Sequence, residues 1–118
     1  MKEFLLWVIF IAQWNDFHFY AGHWMLHSVP FLYRNVHKVH HKSYNTNPAS
    51  GLSMHQVEHV IYFSAILIAL VVPLPFWVVR VLSVNLIVYP LPEHIGMAPF
   101  AQHHWFHHTQ FTFNYGSS

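Results

Sequence analysis

Apolar residues form three long segments along the chain, and proline ends or interrupts each of them. The first segment becomes apolar at Phe4 and continues through a mixed stretch to His27, with Pro30 following. Because proline cannot continue a helix, this pattern predicts one helix from about Phe4 to His27. Its first part is predicted to lie in a membrane, although the purely apolar run is shorter than the roughly 20 residues of a spanning helix.

The second and third apolar segments predict a helical hairpin in the membrane. Residues 54–72, MHQVEHVIYFSAILIALVV, begin polar and become wholly apolar, PLP at 73–75 breaks them, and residues 76–91 are apolar again. Two such segments with a short break between them are typical of helices that cross a membrane and return. Arg80 is close enough to the turn to extend its charge towards the interface.

Shorter elements precede and follow the hairpin. Residues 32–43 predict a short helix, the turn signals Asn-Pro and Ser-Gly predict a loop over 43–51, and residues 103–111 predict a last short helix. The helix at 32–43 carries Arg34, Lys38 and Lys42, three of the five basic residues. Cytoplasmic loops of membrane proteins carry an excess of Lys and Arg, so this side is predicted to be cytoplasmic.

Composition agrees with a membrane location and excludes several functions. The 118 residues are 54% hydrophobic and 8% charged, against about 25% charged in an ordinary soluble domain. A net charge of +1 gives no electrostatic basis for binding nucleic acid. Cysteine is absent, which excludes disulfides, iron–sulfur clusters and thiolate metal sites. The unusual residue is histidine, whose 13 copies outnumber all the charged residues together.

Most histidines lie in three clusters, HWMLH at 23–27, HKVHH at 37–41 and HHWFHH at 103–108. Residues three and four apart share one face of a helix, so each cluster presents several imidazoles together. Neutral imidazole is a good ligand for Zn, Cu, Fe or Ni. Three clusters that return to one membrane side therefore predict metal binding. The candidate ligands are His23, His27, His37, His40, His41, His104, His107 and His108.

Eight candidate ligands exceed the three or four that one ion accepts from a protein, so two ions with about four imidazoles each are predicted. His94 is a further candidate, because it follows the second membrane segment and is able to meet the clusters in space. A hydrogen-bonded histidine at the interface explains His94 nearly as well. His103 shares a helix face with His107, and its assignment stays open.

The chain has too few carboxylates for a ferritin-like dinuclear site, which needs four Glu residues and two Glu-x-x-His motifs. The site must therefore be almost purely nitrogen-ligated. Asp16 precedes His23 by seven residues and shares its helical face, so it is able to support that ring by accepting its second N–H. A polar residue at the membrane boundary is an equally good interpretation of Asp16.

The sequence HQVEH at 55–59 matches H-x-x-E-H, the inverted zinc-peptidase motif, in which Glu58 would be the general base. A peptidase site of this kind would leave the three larger clusters unexplained. We therefore predict that His55, Glu58 and His59 form a polar cap at the start of the helix. Here Glu58 would support the ligands by accepting N–H bonds from their imidazoles.

The three clusters, in this order and with an apolar hairpin between the second and third, resemble the H-x3-H, H-x2-HH and H-x2-HH signature of the fatty acid hydroxylase / sterol desaturase superfamily. The flanking stretches DFHFYAGHWMLH, GLSMHQVEHVIYF and NYG are also similar. The resemblance implies an all-α integral membrane protein, with a hairpin of membrane helices and a histidine-rich helical cap on the cytoplasmic side. It also implies that the eight clustered histidines and His94 bind iron.

The same resemblance implies an O2-dependent hydroxylase or desaturase with two iron ions, and zinc is able to occupy such a site in purified protein. The implied substrate is a fatty acyl, sphingolipid or sterol lipid. No flavin or nicotinamide fingerprint is visible, so electrons would come from a separate donor, such as a cytochrome b5-like protein, a ferredoxin or a similar reductase. The implied location is the endoplasmic reticulum in a eukaryote or the inner membrane in a bacterium.

The sequence departs from the family pattern at several points. Gln56 stands where relatives commonly have proline, the stretch from His94 to the third cluster is short, and relatives usually continue beyond Ser118. We therefore expect residues 1–118 to form a single fatty acid hydroxylase-like domain that is truncated at one or both ends. The alternatives are a non-catalytic histidine-rich metal-binding membrane protein, an inactive truncated relative and, as the weakest, the zinc peptidase.

Overall fold

The computed structural model describes residues 1–42, 47–94 and 102–110, with the side chains of 104–108 in the last range. Every regular element in these ranges is helical, as the sequence predicted. The α-helices are α1 (Lys2–Ser28), α2 (Pro30–Asn35), α3 (Gln56–Phe63), α4 (Phe76–Val88), α5 (Pro90–Glu93) and α6 (Gln102–Gln110). Shorter 3-10 helices span His37–Lys42, Pro48–Leu52 and Ser64–Leu70.

The end of α1 is set by the proline that the sequence singled out. Val29 adopts an extended conformation, with φ −97° and ψ 109°. A residue before proline is disfavoured in the α region, so the helix stops at Ser28. Pro30 then begins α2, where its missing N–H costs nothing because the first helical N–H groups have no partner.

The second histidine cluster is not on the single α-helix predicted over 32–43. The α-helix ends at Asn35, and Val36 leaves ideal helical geometry with φ −118° and ψ −68°. The chain continues as the 3-10 helix His37–Lys42, whose turn is tighter at three residues. The three histidines are therefore presented by a 3-10 helix, and all three are buried.

The loop predicted over 43–51 is wrong from Pro48 onwards, while residues 43–46 lie outside the described part. Pro48 and its neighbours form the 3-10 helix Pro48–Leu52. The Asn47 side chain accepts a hydrogen bond from the Ala49 N–H at 2.9 Å, and the Asn47 N–H donates to Ser50 Oγ at 3.0 Å. The residues that signal a turn here stabilise the first turn of a helix instead, because they satisfy its free N–H groups.

The residues predicted to form the hairpin are helical on both sides of the break, and their place in a membrane stays a prediction. The first segment consists of α3 and the 3-10 helix Ser64–Leu70, and the second is α4 after the break at 71–75. The Tyr62 hydroxyl donates to the Leu86 carbonyl at 2.9 Å, which joins the two segments. Helix α1 packs against both, and the Trp14 indole N–H donates to the Ala65 carbonyl at 2.9 Å. The buried centre of this packing is Ile11, Val78 and Leu82.

In the described ranges, one helical stretch is long and apolar enough to cross a membrane. It covers Phe76–Glu93, which is α4 followed by the short α5, and has a mean hydropathy of 1.2 over 18 residues. The segment Gln56–Leu70 is apolar but shorter. Many large apolar side chains of α1 and α4 are exposed, among them Leu6, Phe76 and Val84.

Gly51 allows the 3-10 helix Pro48–Leu52 to approach α5 closely. A Cβ atom on Gly51 would lie 2.6 Å from the Pro90 carbonyl oxygen and 3.0 Å from His94 Nδ1. The nearest atom belongs to the backbone, which cannot rotate away as a side chain does. Glycine at this position therefore fixes how closely the turn supports His94.

We expect Gly51→Ala to lower the stability of the purified protein by roughly 1–3 kcal/mol, the usual cost of forcing extra atoms into a packed site. Thermal unfolding in detergent measures this loss. Gly22→Ala is the matched control, because its Cβ would lie 3.1 Å from Ile61 Cγ2, the end of a side chain that is able to move. Equal melting temperatures for the two variants would contradict the close-approach argument.

Candidate metal centre

Five histidines from α1, the 3-10 helix His37–Lys42 and α6 converge on one point. We call them group one: His23, His27, His37, His41 and His107. One nitrogen from each ring lies within 4.8 Å of those from the other four. The Nε2–Nε2 distances are 2.9 Å for His37–His41 and His27–His107, 3.1 Å for His23–His37 and 3.2 Å for His27–His41. Four of the five side chains are buried and His27 is half-buried.

Four further histidines form group two: His40, His94, His104 and His108. Each of them is at most 4% exposed. The Nε2–Nε2 distances are 3.1 Å for His40–His108, 3.2 Å for His94–His104 and His104–His108, and 3.3 Å for His40–His94. His94 thus joins this group, as its position after the second apolar segment suggested. The two groups together contain all nine of the histidines predicted as ligands.

The second and third clusters each contribute to both groups. His37 and His41 enter group one while His40 enters group two. His104 and His108 enter group two while His107 enters group one. In each H-x2-HH sequence the outer pair, four residues apart, therefore serves one group and the middle histidine serves the other. The two groups are interlocked, and neither forms from one cluster alone.

The nitrogen spacing fits ligands around a shared cation. At a metal–nitrogen distance of about 2.1 Å, adjacent ligands lie about 3.0 Å apart in an octahedron and about 3.4 Å apart in a tetrahedron. The Nε2–Nε2 distances from 2.9 to 3.3 Å fall in or next to this range. Each group is therefore able to hold a metal ion with Nε2 as the ligand atom.

Hydrogen bonds made by Nδ1 also indicate that Nε2 is the nitrogen available to a metal ion. His40 Nδ1–H donates to the Ser53 carbonyl at 3.1 Å, and His94 Nδ1–H donates to the Pro90 carbonyl at 2.8 Å. A carbonyl only accepts, so both neutral rings carry their proton on Nδ1 and a bare lone pair on Nε2. These two lone pairs face each other at 3.3 Å, an arrangement that a cation between them would stabilise.

Glu58 contacts group one, and its role as a support of a metal ligand stays a prediction. His37 Nδ1–H donates to Glu58 Oε1 at 2.7 Å, and both side chains are buried. A carboxylate in this position fixes the tautomer of the ring and makes its Nε2 more basic. Glu58 reaches His37 from α3, so this contact also ties the hairpin to group one.

The other predicted supporting residues lie elsewhere. His55 caps α3, since its Nδ1 accepts the Val57 N–H at 3.1 Å, and His59 stacks on Phe63 at 6.0 Å. Neither belongs to either group in the described ranges. Asp16 lies within electrostatic range of Glu93. The supporting roles of Asp16, His55 and His59 stay predictions, and the side chain of His103 lies outside the described residues.

A pocket reaches both groups. His23 and His37 of group one and His40, His94 and His104 of group two line it. Most of the remaining wall is apolar and comes from α1 and α3. The apolar residues of this wall include Phe19, Leu26, Met54 and Ile61.

Comparison with known proteins agrees with this arrangement. The profile of the family described as fatty acid hydroxylase matches residues 7–118, nearly the whole chain. The chain belongs to the fatty acid hydroxylase family. This membership confirms the resemblance carried by the three histidine clusters.

Among curated relatives of this fatty acid hydroxylase family member is cholesterol 25-hydroxylase of Rattus norvegicus, which is 28% identical over 131 aligned residues. The alignment covers 98% of this chain and 44% of the relative. The chain therefore spans less than half the length of that protein. No solved structure matches the chain.

Sequence reasoning missed several residues that build the site of this family member. Glu93 is buried in the pocket beside His94, and the carbonyl groups of Ser53 and Pro90 accept hydrogen bonds from the His40 and His94 rings. Backbone carbonyls leave no trace in a sequence. The only sequence signal for Glu93 was that it is one of four acidic residues and directly precedes a candidate ligand.

The metal-free protein should lose stability in mild acid. Burial lowers the pKa of His40 to about 4, helped by the neighbouring His94, and burial lowers the pKa of His37 to about 2. Both rings titrate near about 6.5 in an unfolded chain. As the pH falls from about 6.5 towards 4 the unfolded state therefore binds more protons, and the free energy of unfolding decreases.

Thermal unfolding of chelator-treated protein in detergent, at about pH 7.5 and about pH 5, measures this effect. His40→Asn removes one of the titrating rings, so its melting temperature should depend less on pH than that of the unchanged protein. The same melting temperature at both pH values would mean that folding does not lower the pKa of the buried rings.

Proposed function

We propose that this protein is an O2-dependent lipid hydroxylase or desaturase with a histidine-ligated dinuclear iron site. The observation that carries the proposal is the pair of interlocked histidine groups beside one apolar pocket. Membership of the fatty acid hydroxylase family and similarity to a protein named as a cholesterol hydroxylase support the same activity. The substrate is a fatty acyl, sphingolipid or sterol lipid.

Group one would hold one iron ion through His23, His27, His37, His41 and His107. Group two would hold the other through His40, His94, His104 and His108. Bound iron would supply the oxidant that an unactivated C–H bond requires, which no side chain provides by itself. The chain's own residues hold the ring nitrogens in place, and Glu58 keeps the His37 proton on Nδ1. The apolar pocket wall excludes water and positions the lipid next to both groups.

A membrane location explains the outer surface of the helices. Phe76–Glu93 is about 27 Å long at about 1.5 Å per residue, close to the roughly 30 Å of a bilayer core. The segment Gln56–Leu70 reaches about 26 Å, because its second half is a 3-10 helix with a rise of about 2.0 Å. Val60 and Leu70 on this segment are more than two-thirds exposed, which suits contact with lipid better than with water.

The histidine groups would lie at the cytoplasmic face of this membrane domain. Arg34, Lys38 and Lys42 are all exposed, and Lys38 and Lys42 lie in the same 3-10 helix as three of the ligands. The excess of basic residues on cytoplasmic segments supports this orientation. Electrons would reach the site from a separate donor of the cytochrome b5, ferredoxin or reductase type. The membrane would be the endoplasmic reticulum in a eukaryote or the inner membrane in a bacterium.

The alternative functions receive less support. A protein that only stores or carries metal would present exposed histidine tracts, whereas eight of these nine imidazoles are buried. A peptidase of the H-x-x-E-H type needs His55 and His59 on one zinc, and the described residues place one at a helix cap and the other on Phe63. An inactive truncated relative would bind metal without oxidising lipid, which the following experiment distinguishes.

His107→Ala should lower the metal content from about two ions per chain and abolish lipid oxidation, because it removes a ligand that contacts His27 across the site. Metal analysis of purified protein and lipid profiling of cells that express it are the two measurements. Phe106→Ala is the matched control, since Phe106 is the neighbouring residue on α6 and is 40% exposed. Full metal content in His107→Ala would overturn the ligand assignment.

Glu58→Gln should leave both metal sites formed but weaken metal affinity or activity by roughly 10- to 100-fold, the usual effect of altering a residue that supports a ligand. The amide oxygen still accepts the His37 proton but no longer carries a charge. Competition with a chelator gives the metal affinity. Loss of a peptide-hydrolysis activity in this variant would favour the zinc-peptidase alternative instead.

A further inference from the structure

Asn15 is a buried amide to which no described residue offers a hydrogen bond. Its side chain is 7% exposed, and neither Nδ2 nor Oδ1 has a partner in the described ranges. A buried polar group without hydrogen bonds lowers stability, and an amide leaves both donor protons and an acceptor oxygen unpaired. Leucine has a similar branched shape and would avoid this cost. Asn15 therefore indicates a missing polar partner.

The amide lies between the packed core and the pocket. Residues four apart share one face of a helix, so Ile11, Asn15 and Phe19 form one stripe along α1. Ile11 belongs to the buried centre of the helical packing, whereas His18 and Phe19 line the pocket. Of the α1 residues that line the pocket, these two come first in the chain. Asn15 is therefore one helical turn past this end of the pocket.

His18 offers a further acceptor at the same end. The Ser64 hydroxyl donates to the Ile61 carbonyl at 2.6 Å, so its oxygen accepts the His18 Nε2–H at 3.0 Å. In a neutral imidazole, the main form above about pH 6.5, this leaves a lone pair on Nδ1. His18 belongs to neither histidine group in the described ranges, so its role is separate from metal binding.

A buried water explains Asn15 less well than a ligand does. Such a water typically makes about three hydrogen bonds to polar groups. Two polar groups close to this end of the pocket already have partners, because the Trp14 indole N–H donates to the Ala65 carbonyl and the Ser64 hydroxyl donates to Ile61. Few partners therefore remain for a water, whereas a lipid in the pocket is held by the apolar wall as well.

We infer that Asn15 and His18 bind a hydroxyl group of the lipid at the end of the pocket remote from the metal ligands. The inference rests on the proposed function and narrows its substrate class. A hydroxyl both donates and accepts, which matches the amide oxygen and N–H groups of Asn15 and the Nδ1 lone pair of His18. A lipid that reaches Asn15 extends between α1 and the hairpin by one helical turn beyond the pocket.

The position of Asn15 also relates the hydroxyl to the carbon that is oxidised. Asn15 precedes His23 of group one by eight residues on α1, which is about 12 Å along the helix axis. The oxidised carbon is therefore remote from the bound hydroxyl. The substrate is a lipid with a hydroxyl towards one end and a reacting carbon about 12 Å away.

The test compares two probes that differ in one group: hexadecanol, and heptadecane, in which a methyl replaces the hydroxyl. Ligand-induced shifts of the melting temperature of metal-loaded protein in detergent give affinities without turnover. We expect hexadecanol to bind roughly 10-fold more tightly. Asn15→Leu should remove most of this preference. It should also maintain or raise the melting temperature of the ligand-free protein, because it removes an unsatisfied buried amide.

Gln13→Leu is the matched control, because it makes a similar change on the exposed face of the same helix and should leave the probe preference intact. His18→Phe keeps an aromatic ring beside Trp14, whose ring centroid is 5.7 Å away, and should weaken only hexadecanol binding. The metal content and helical signal of each variant show whether the metal sites and the fold are intact. Partitioning of each probe into detergent is common to all variants, so their comparison isolates the contact.

An unchanged preference for hexadecanol in folded, metal-loaded Asn15→Leu would overturn the inference, since the hydroxyl would then bind elsewhere. A lower melting temperature of ligand-free Asn15→Leu, with both probes weakened equally, would also overturn it and indicate a structural water. Equal affinities of the unchanged protein for the two probes would have the same effect. Hydroxyl-selective binding that depends on Asn15, with no lipid oxidation, would contradict only the proposed function.

Discussion

The convergence of nine imidazole Nε2 atoms on two points is the constraint on which the rest of the structure depends. Lone pairs at about 3 Å from one another repel unless a cation lies between them, and burial keeps the rings neutral. Because each H-x2-HH sequence divides its histidines between the groups, α1, α6 and the 3-10 helix His37–Lys42 must be positioned together. The site is therefore a tertiary structure in its own right rather than a set of separate helical motifs.

The remaining elements hold these histidines in place. Pro30 ends α1 just after His23 and His27, which lets the chain turn and bring the second cluster back against the first. Gly51 lets the 3-10 helix Pro48–Leu52 contact α5, so that backbone carbonyls of Ser53 and Pro90 fix His40 and His94. The hairpin adds Glu58 from its first segment. These hydrogen bonds set the tautomer and direction of the His37, His40 and His94 rings.

The pocket combines an apolar wall with two buried carboxyl groups, Glu58 and Glu93. In the proposed membrane enzyme, the exposed apolar side chains of α3 and α4 would give a lipid direct lateral access from the bilayer. In the proposed enzyme, the same hydrophobic composition therefore serves both membrane insertion and substrate supply.

The sequence by itself determined the helical class, the end of α1 at Pro30, the break at PLP and the nine histidines that converge, because these follow from local spacing and proline geometry. It also singled out Glu58 as a support of the ligands. Only the tertiary structure decided that His40 and His107 leave their neighbours for the opposite group, that Glu93 faces the pocket, and that two backbone carbonyls orient ligand rings. The grouping of the histidines depends on how separate helices meet, because the contacts His40–His94 and His27–His107 join residues 54 and 80 positions apart and have no local pattern in a sequence.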